Sequence, residues 1–215
     1  PQASQGQMPE DSEMPFVRKA EFKISNEDIQ YVLKSHFNET PYDPMGDSPE
    51  NKTYRAISLS RTAQSHILQV RNDKKYKTSV HWIELGVPAF NPYVPFFANA
   101  DDTDESYRNV PEKMDLKCAF WLNEALAEVV ESHYNEFIEK NEDYQKELNE
   151  WARRKIAEVD KKAAQLDGQA LVDYLTKQNH EVATHYNERT KELFFELLTE
   201  GCELSKMSFK MDPNL

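Results

Sequence analysis

Between Pro111 and Pro213 the chain has no proline, and no other feature limits its folding as strongly. Proline removes an N–H donor and clashes with the preceding helical turn, so a stretch this long without it can run as extended helices. Apolar residues inside it recur at helical spacing. Leu116, Ala119, Phe120, Leu126, Val130, Tyr134 and Phe137 form one face, and Tyr144, Leu148, Trp151, Ala152 and Val159 continue it in a changed phase. Asp167-Gly168 suits a helix end. A further helix from near Gln169 carries Leu171, Leu175, Val182, Tyr186, Leu193 and Leu197. The outward positions are crowded with Glu and Lys. This half predicts a long antiparallel helix pair packed on the part of the chain before it.

That earlier part reads differently. Residues 1–15 are rich in Gln, Ser, Pro and Glu, as in a flexible leader or opened loop. Ser25 caps a helix, Asp28 completes a capping box, and Ile29, Val32, Leu33 and His36-Phe37 follow a helical period to about residue 37. Pro41, Pro44, Gly46 and Pro49 end it. Tyr54–Leu59, Thr62–Val70 and Thr78–Leu85 are rich in β-branched and aromatic residues and read as strands, with a hairpin turn at Asn72-Asp73-Lys74-Lys75. Pro88, Pro92 and Pro95 make the apolar run to Phe97 a buried, irregular strand end rather than a central strand. The divisions that follow are a leader (1–15), a helix plus antiparallel β region (16–110), a helical half (111–200) and a tail (201–215).

Composition removes several function classes. Thirty-eight acids against 26 bases give a net charge of −12, which repels phosphate backbones and anionic lipid. Nucleic acid is therefore not an expected partner. Only five glycines are present, none close to another, so neither GxGxxG nor GxxxxGK[ST] exists and phosphate-cradling loops are excluded. Cys118 and Cys202 are far apart and form no CxxC pair; both read as reduced, buried thiols in a reducing compartment. No apolar run approaches the roughly 20 residues of a bilayer span, so no membrane association is expected.

Several clusters have plainer readings than their chemistry suggests. His180 and His185 mimic HExxH, but at i, i+5 they diverge by about 140° on a helix of about 100° per residue, and they read as helix-surface histidines. Asp101 to Glu105 lacks the mid-loop glycine and twelfth-position Glu of a calcium loop, and reads as a solvated loop. Cys118, one turn into a helix, reads as a small apolar filler. His81 and Trp82 read as strand packing. Arg61 and Arg71 bracket a strand, where each charge needs either a structural carboxylate or a substrate anion. These residues alone define an acidic α+β domain.

Longer stretches carry a resemblance. Thr40-Pro41-Tyr42-Asp43, Tyr54-Arg55-Ala56-Ile57-Ser58, Arg61 to Gln69, and Val80 to Phe90 continuing through Pro92-Tyr93-Val94-Pro95-Phe96-Phe97 resemble the cysteine dipeptidases of the dipeptidase A type, bacterial N-terminal-nucleophile hydrolases. The resemblance implies a four-layered αββα sandwich, metal-free and cofactor-free hydrolysis of dipeptides, and a first-residue cysteine whose own α-amine serves as base. Residue 1 here is Pro1, and the family's proteins are roughly twice as long. The expectation is therefore the C-terminal half of such an enzyme, silent alone, with the nucleophile in an upstream half. By the same resemblance, Arg61 is a strand arginine beside the nucleophile. Ser65 and His66 lie on its strand, and Asn91 and Tyr93 belong to a pocket wall formed by Pro88–Phe97; these four are candidate substrate-binding residues. A cytoplasmic homo-oligomer completes the expectation. Two other readings compete: a non-catalytic interaction or oligomerisation module using the long helices, and a complete hydrolase using His66 or His81 with a carboxylate.

Overall fold

The computed structural model describes residues 12, 17, 19–73 and 75–204. Most of the expected leader, the expected tail beyond residue 204 and Lys74 of the expected turn lie outside the described residues. The described chain is α+β, with a three-stranded antiparallel sheet and four α-helices.

Helix α1 is Asn26–Leu33. The sequence places its start correctly: the Ser25 side chain accepts the Asp28 N–H, and the Asp28 carboxylate accepts the Ser25 N–H, closing the capping box. Two expectations fail. The helix stops at Leu33, because Lys34 is already its C-cap and Phe37 and Glu39 take positive φ angles of 66° and 59°. Its buried residue is Gln30, whereas Ile29 and Val32 are exposed. Of the expected stripe, Leu33 packs against the core and His36 is buried, so the docking face is rotated away from Ile29 and Val32 only.

Strands β1 (Gln64–Gln69), β2 (Val80–Leu85) and β3 (Val94–Phe97) pair in the order β1-β2-β3. Period-2 patterning sets the register. Ser65, Ile67 and Gln69 lie opposite Glu84, Trp82 and Val80, and Val80 and Trp82 lie opposite Phe97 and Pro95. On this face Val80, Trp82 and Glu84 are buried; on the other, Gln64, His66 and Leu68 are exposed. Tyr54–Leu59 is not a strand but a run of bends, tied down instead by backbone bonds such as Ser58 N–H to the Ser35 carbonyl (2.9 Å). It has strand-forming residues but no strand to pair with. Pro95 sits in β3, at the edge of this sheet, where a missing N–H is tolerated.

The helical half starts later than Pro111, at α2 (Ala119–Ser132), followed by α3 (Tyr134–Ala163) and α4 (Gly168–Glu203). The changed phase of the apolar pattern is a break at His133, whose φ of −133° and ψ of 49° leave the helical region. Asp167-Gly168 opens α4, with Asp167 as N-cap, rather than closing α3. The helix pair is as expected. Residues 140, 144, 148 and 155 of α3 meet 196, 190, 186 and 181 of α4, so the two run antiparallel. Leu122, Leu126, Val130, Leu148, Leu175, Val182 and Leu197 fill the core with Val80, Trp82 and Phe97 of the sheet. At roughly 1.5–3 kcal/mol for each fully buried large apolar side chain, this seam is the main source of stability. Cys118 is buried but is the N-cap of α2 rather than one turn in, and Cys202 is exposed on the last turns of α4. The expectation of two buried thiols holds for the first only.

Candidate functional site

The sheet places one unusual residue at its centre. Glu84 of β2 is fully buried at 0% exposure, and neither carboxylate oxygen has a hydrogen-bond partner among the described residues. Burial penalises its charged form and holds the carboxyl well above its ordinary range. The Glu124 charge adds to that, and the Lys34 charge opposes it. Tyr93, just before β3, reaches across this rung, and its hydroxyl lies 2.5 Å from the Ser65 hydroxyl of β1. Burial pushes the Tyr93 phenol up to about 12.

Lys34, the C-cap of α1, comes from the other side. Its ammonium lies 5.4 Å from the centre of the Tyr93 ring and donates to Gln145 Oε1. Burial pushes it down to about 8, with the Glu84 charge working the other way. The unusual phase of α1 now has a reason: the face turned inward is the one that carries Gln30 and Lys34. A carboxyl that favours its neutral form, beside an amine with a lowered pKa, is the kind of pairing found at sites of proton transfer.

The irregular segment after β2 is held by side-chain amides in place of a ladder. Asn123 Nδ2 donates to the Leu85 carbonyl (2.7 Å), Gln145 Nε2 to Ala89 (3.0 Å) and Asn141 Nδ2 to Phe90 (2.9 Å), while Ser58 Oγ accepts the Ala89 N–H (2.9 Å). Gly86 turns the chain at φ +100°. A Cβ there would stand 3.1 Å from Glu124 Oε1 and 3.3 Å from Asn91 Nδ2. Asn91 is fully buried; its Nδ2 donates to the Val87 carbonyl (3.0 Å) and its Oδ1 has no partner among the described residues.

Of the residues predicted from sequence, Ser65 and Tyr93 come together and Asn91 lies buried two residues before Tyr93. Arg61 is placed differently from expectation, whereas His66 lies on the strand of Ser65 as expected. Arg61 is exposed in a turn ahead of β1, because the β1–β2 ladder begins only at Gln64. His66 shares β1 with Ser65 but projects to the opposite, exposed face, as adjacent strand residues must. There it meets His81, ring centres 5.7 Å apart and edge-on. Arg71 is structural: it bonds Asp160 at 2.7 Å and donates twice to the Thr78 carbonyl.

Sequence reasoning missed Lys34, Glu84 and a buried His36–Asp43 pair, in which Nδ1 and Oδ1 lie 2.9 Å apart and the same carboxylate oxygen accepts the Met45 N–H. Glu84 carries a signal in hindsight, as an acid in phase with Val80 and Trp82 on the buried face of a strand. His36 reads only as a helix position, and Lys34 as one of many surface lysines. His180 bonds Asp104 (2.8 Å), whereas His185 stacks on Trp151 with centres 4.1 Å apart, so the two histidines do not converge. Among the described residues no group of three or more His, Cys, Asp or Glu is placed to hold a metal, and no helix is long and apolar enough to cross a membrane.

Comparison with known proteins adds an independent line. The sequence pattern of the family described as Peptidase family C69 matches residues 1–147. The chain is 59% identical over 213 residues to a probable dipeptidase of Latilactobacillus sakei, covering 97% of this chain and 44% of that protein. It is 32% identical over 210 residues to dipeptidase A of Lactobacillus helveticus, covering 96% and 44%. It is 34% identical over 207 residues to probable dipeptidase B of Lactococcus lactis, covering 94% and 43%. The chain thus spans less than half the length of these relatives.

Proposed function

Since the chain belongs to peptidase family C69, we propose that it works as part of a dipeptidase, contributing one side of the substrate pocket. The cysteine nucleophile and its α-amine base come from polypeptide outside these 215 residues. This chain supplies one sheet and one helical layer of an αββα sandwich, within a cytoplasmic homo-oligomer. Ser65, Tyr93 and Asn91 present hydroxyl and amide groups to a dipeptide. Arg61, exposed ahead of β1, is free to pair with an anionic group, and His66 lines the open face of the sheet.

The observation that carries this reading is the buried polar cluster of Ser65, Glu84 and Tyr93, which falls within the stretch matched by the family. A hydrophobic core does not spend a central strand position on an unpaired carboxyl, at a cost of several kcal/mol when ionised, without a return. Burial favours the neutral form of the Glu84 carboxyl, and any charge it carries raises the Tyr93 phenol further.

The test is hydrolysis of dialanine by a polypeptide of the relatives' full length that carries this chain. Activity abolished by thiol alkylation, and lowered at least tenfold in kcat/KM by Tyr93→Phe and Arg61→Ala, supports the reading. Hydrolysis by the 215 residues alone, or activity indifferent to alkylation, overturns it.

A further inference from the structure

Helices α1 and α3 enclose a groove of about 380 Å³ that no step proposed above uses. Its walls are two polar strips. Glu27, Tyr31 and Lys34 project from α1 and its C-cap. Glu142, Gln145, Asn149 and Arg153 project from α3, at the three- and four-residue spacings that align side chains on one helix face. Glu27 and Arg153 neutralise each other at 3.1 Å. Three charges facing the groove are left over, two ammoniums and one carboxylate. Among the described residues, Lys34 has an amide partner but no carboxylate within ion-pair distance, and Glu142 forms no ion pair. Lys146 adds a second ammonium.

We propose that this groove binds a small zwitterion of the α-amino acid or short peptide type, with the ligand carboxylate on the Lys34 ammonium and the ligand ammonium on the Glu142 carboxylate. The volume lies at the lower end of small-molecule pockets, about 300–1,000 Å³, and excludes a long peptide. The partly desolvated Lys34 charge rewards an anion more than a surface lysine does, because its field is less screened. Gln145 fixes the ammonium, and Gln145 is itself fixed by the Ala89 carbonyl and Asn141. Tyr31 offers a ring face against which a small side chain can rest. The choice of ligand rests on the opposite charges of Lys34 and Glu142 and does not depend on where hydrolysis takes place.

The test is calorimetric titration of the 215-residue chain at pH 7 with dialanine, with dialanine amide (no carboxylate) and with N-acetyl-dialanine (no ammonium). Saturable dialanine binding, at least tenfold weaker for the amide and for Lys34→Met, is expected. For Glu142→Gln, dialanine should bind more weakly while N-acetyl-dialanine is unaffected. Equal affinity for dialanine and its amide in the wild-type chain overturns the proposal without any variant, as does the absence of saturation below about 20 mM, a concentration well above common metabolite-range KM values of 1 μM–1 mM. Because binding is read directly, a failed dipeptidase assay leaves this result standing, and the reverse holds too.

Discussion

Asn179 of α4 holds both backbone groups of Phe97: its Oδ1 accepts the Phe97 N–H at 2.8 Å and its Nδ2 donates to the Phe97 carbonyl at 3.1 Å. The side-chain amide thereby acts as one rung of a further strand and closes the edge of β3. Both residues are buried. Asn179→Ala leaves a buried donor and acceptor unpaired, and should lower the unfolding free energy by about 2–4 kcal/mol. Urea unfolding followed by circular dichroism measures it.

Arg71 and Asp160 form the chain's most enclosed Arg–carboxylate contact among the described residues, with side chains 8% and 18% exposed. Arg71→Ala should cost about 3–5 kcal/mol, since it strands the Asp160 carboxylate. Adding Asp160→Leu should recover part of that loss. A double-mutant cycle by chemical unfolding checks both values, and simple additivity would show that the pair is not coupled.

Gly86 stands at φ +100° against Glu124 and Asn91. Gly86→Ala should destabilise by roughly 1–3 kcal/mol through backbone strain and crowding. The change is read as a lower midpoint in thermal unfolding. Under the proposed dipeptidase role, the same substitution in a polypeptide of the relatives' full length should reduce dialanine turnover, because this turn precedes the segment carrying Asn91 and Tyr93.

The Glu84 carboxyl should leave a signature in the pH dependence of stability. Burial raises its folded pKa above the ordinary value of 4.5, so the native state keeps a proton that the unfolded chain releases. Its stabilising contribution is complete below pH 4.5 and is lost as pH rises toward the folded pKa. Glu84→Gln removes that slope. The variant should gain on the wild type between pH 4.5 and 7, by at most about 1.4 kcal/mol per pH unit. Urea midpoints across that range measure the difference, and parallel curves would mean that Glu84 is ionised in the fold.

Local chemistry that depends on near neighbours was legible in the sequence. The Ser25–Asp28 capping box, the β1 and β2 alternation and the helical periods of α3 and α4 each involve residues within a few positions of one another. What could not be read depends on residues brought together across the chain. Tyr54–Leu59 looks like a strand in isolation, but β character needs a partner strand, and none is available there. The apolar positions Ile29 and Val32 of α1 point to the wrong buried face, since Gln30 and Leu33 are the residues that turn inward. Ser65 and Tyr93 were found through the resemblance, whereas Lys34 meets Tyr93 and Gln145 only through the tertiary packing of α1 on α3. Arg61 fell on the wrong side of a strand boundary that is fixed by where β2 ends.

The inward-facing glutamine of α1 sets how that helix lets go. Two polar links tie it to α3, the Lys34–Gln145 bond and the Glu27–Arg153 pair, while Leu33 packs against the core and Ile29, Tyr31 and Val32 stay exposed. With one apolar side chain of α1 packed on the core, its release would leave a small heat-capacity trace, while added salt would loosen the exposed Glu27–Arg153 clasp. Ionic strength, more than temperature, is thus the variable that governs how firmly the α1 arm is held.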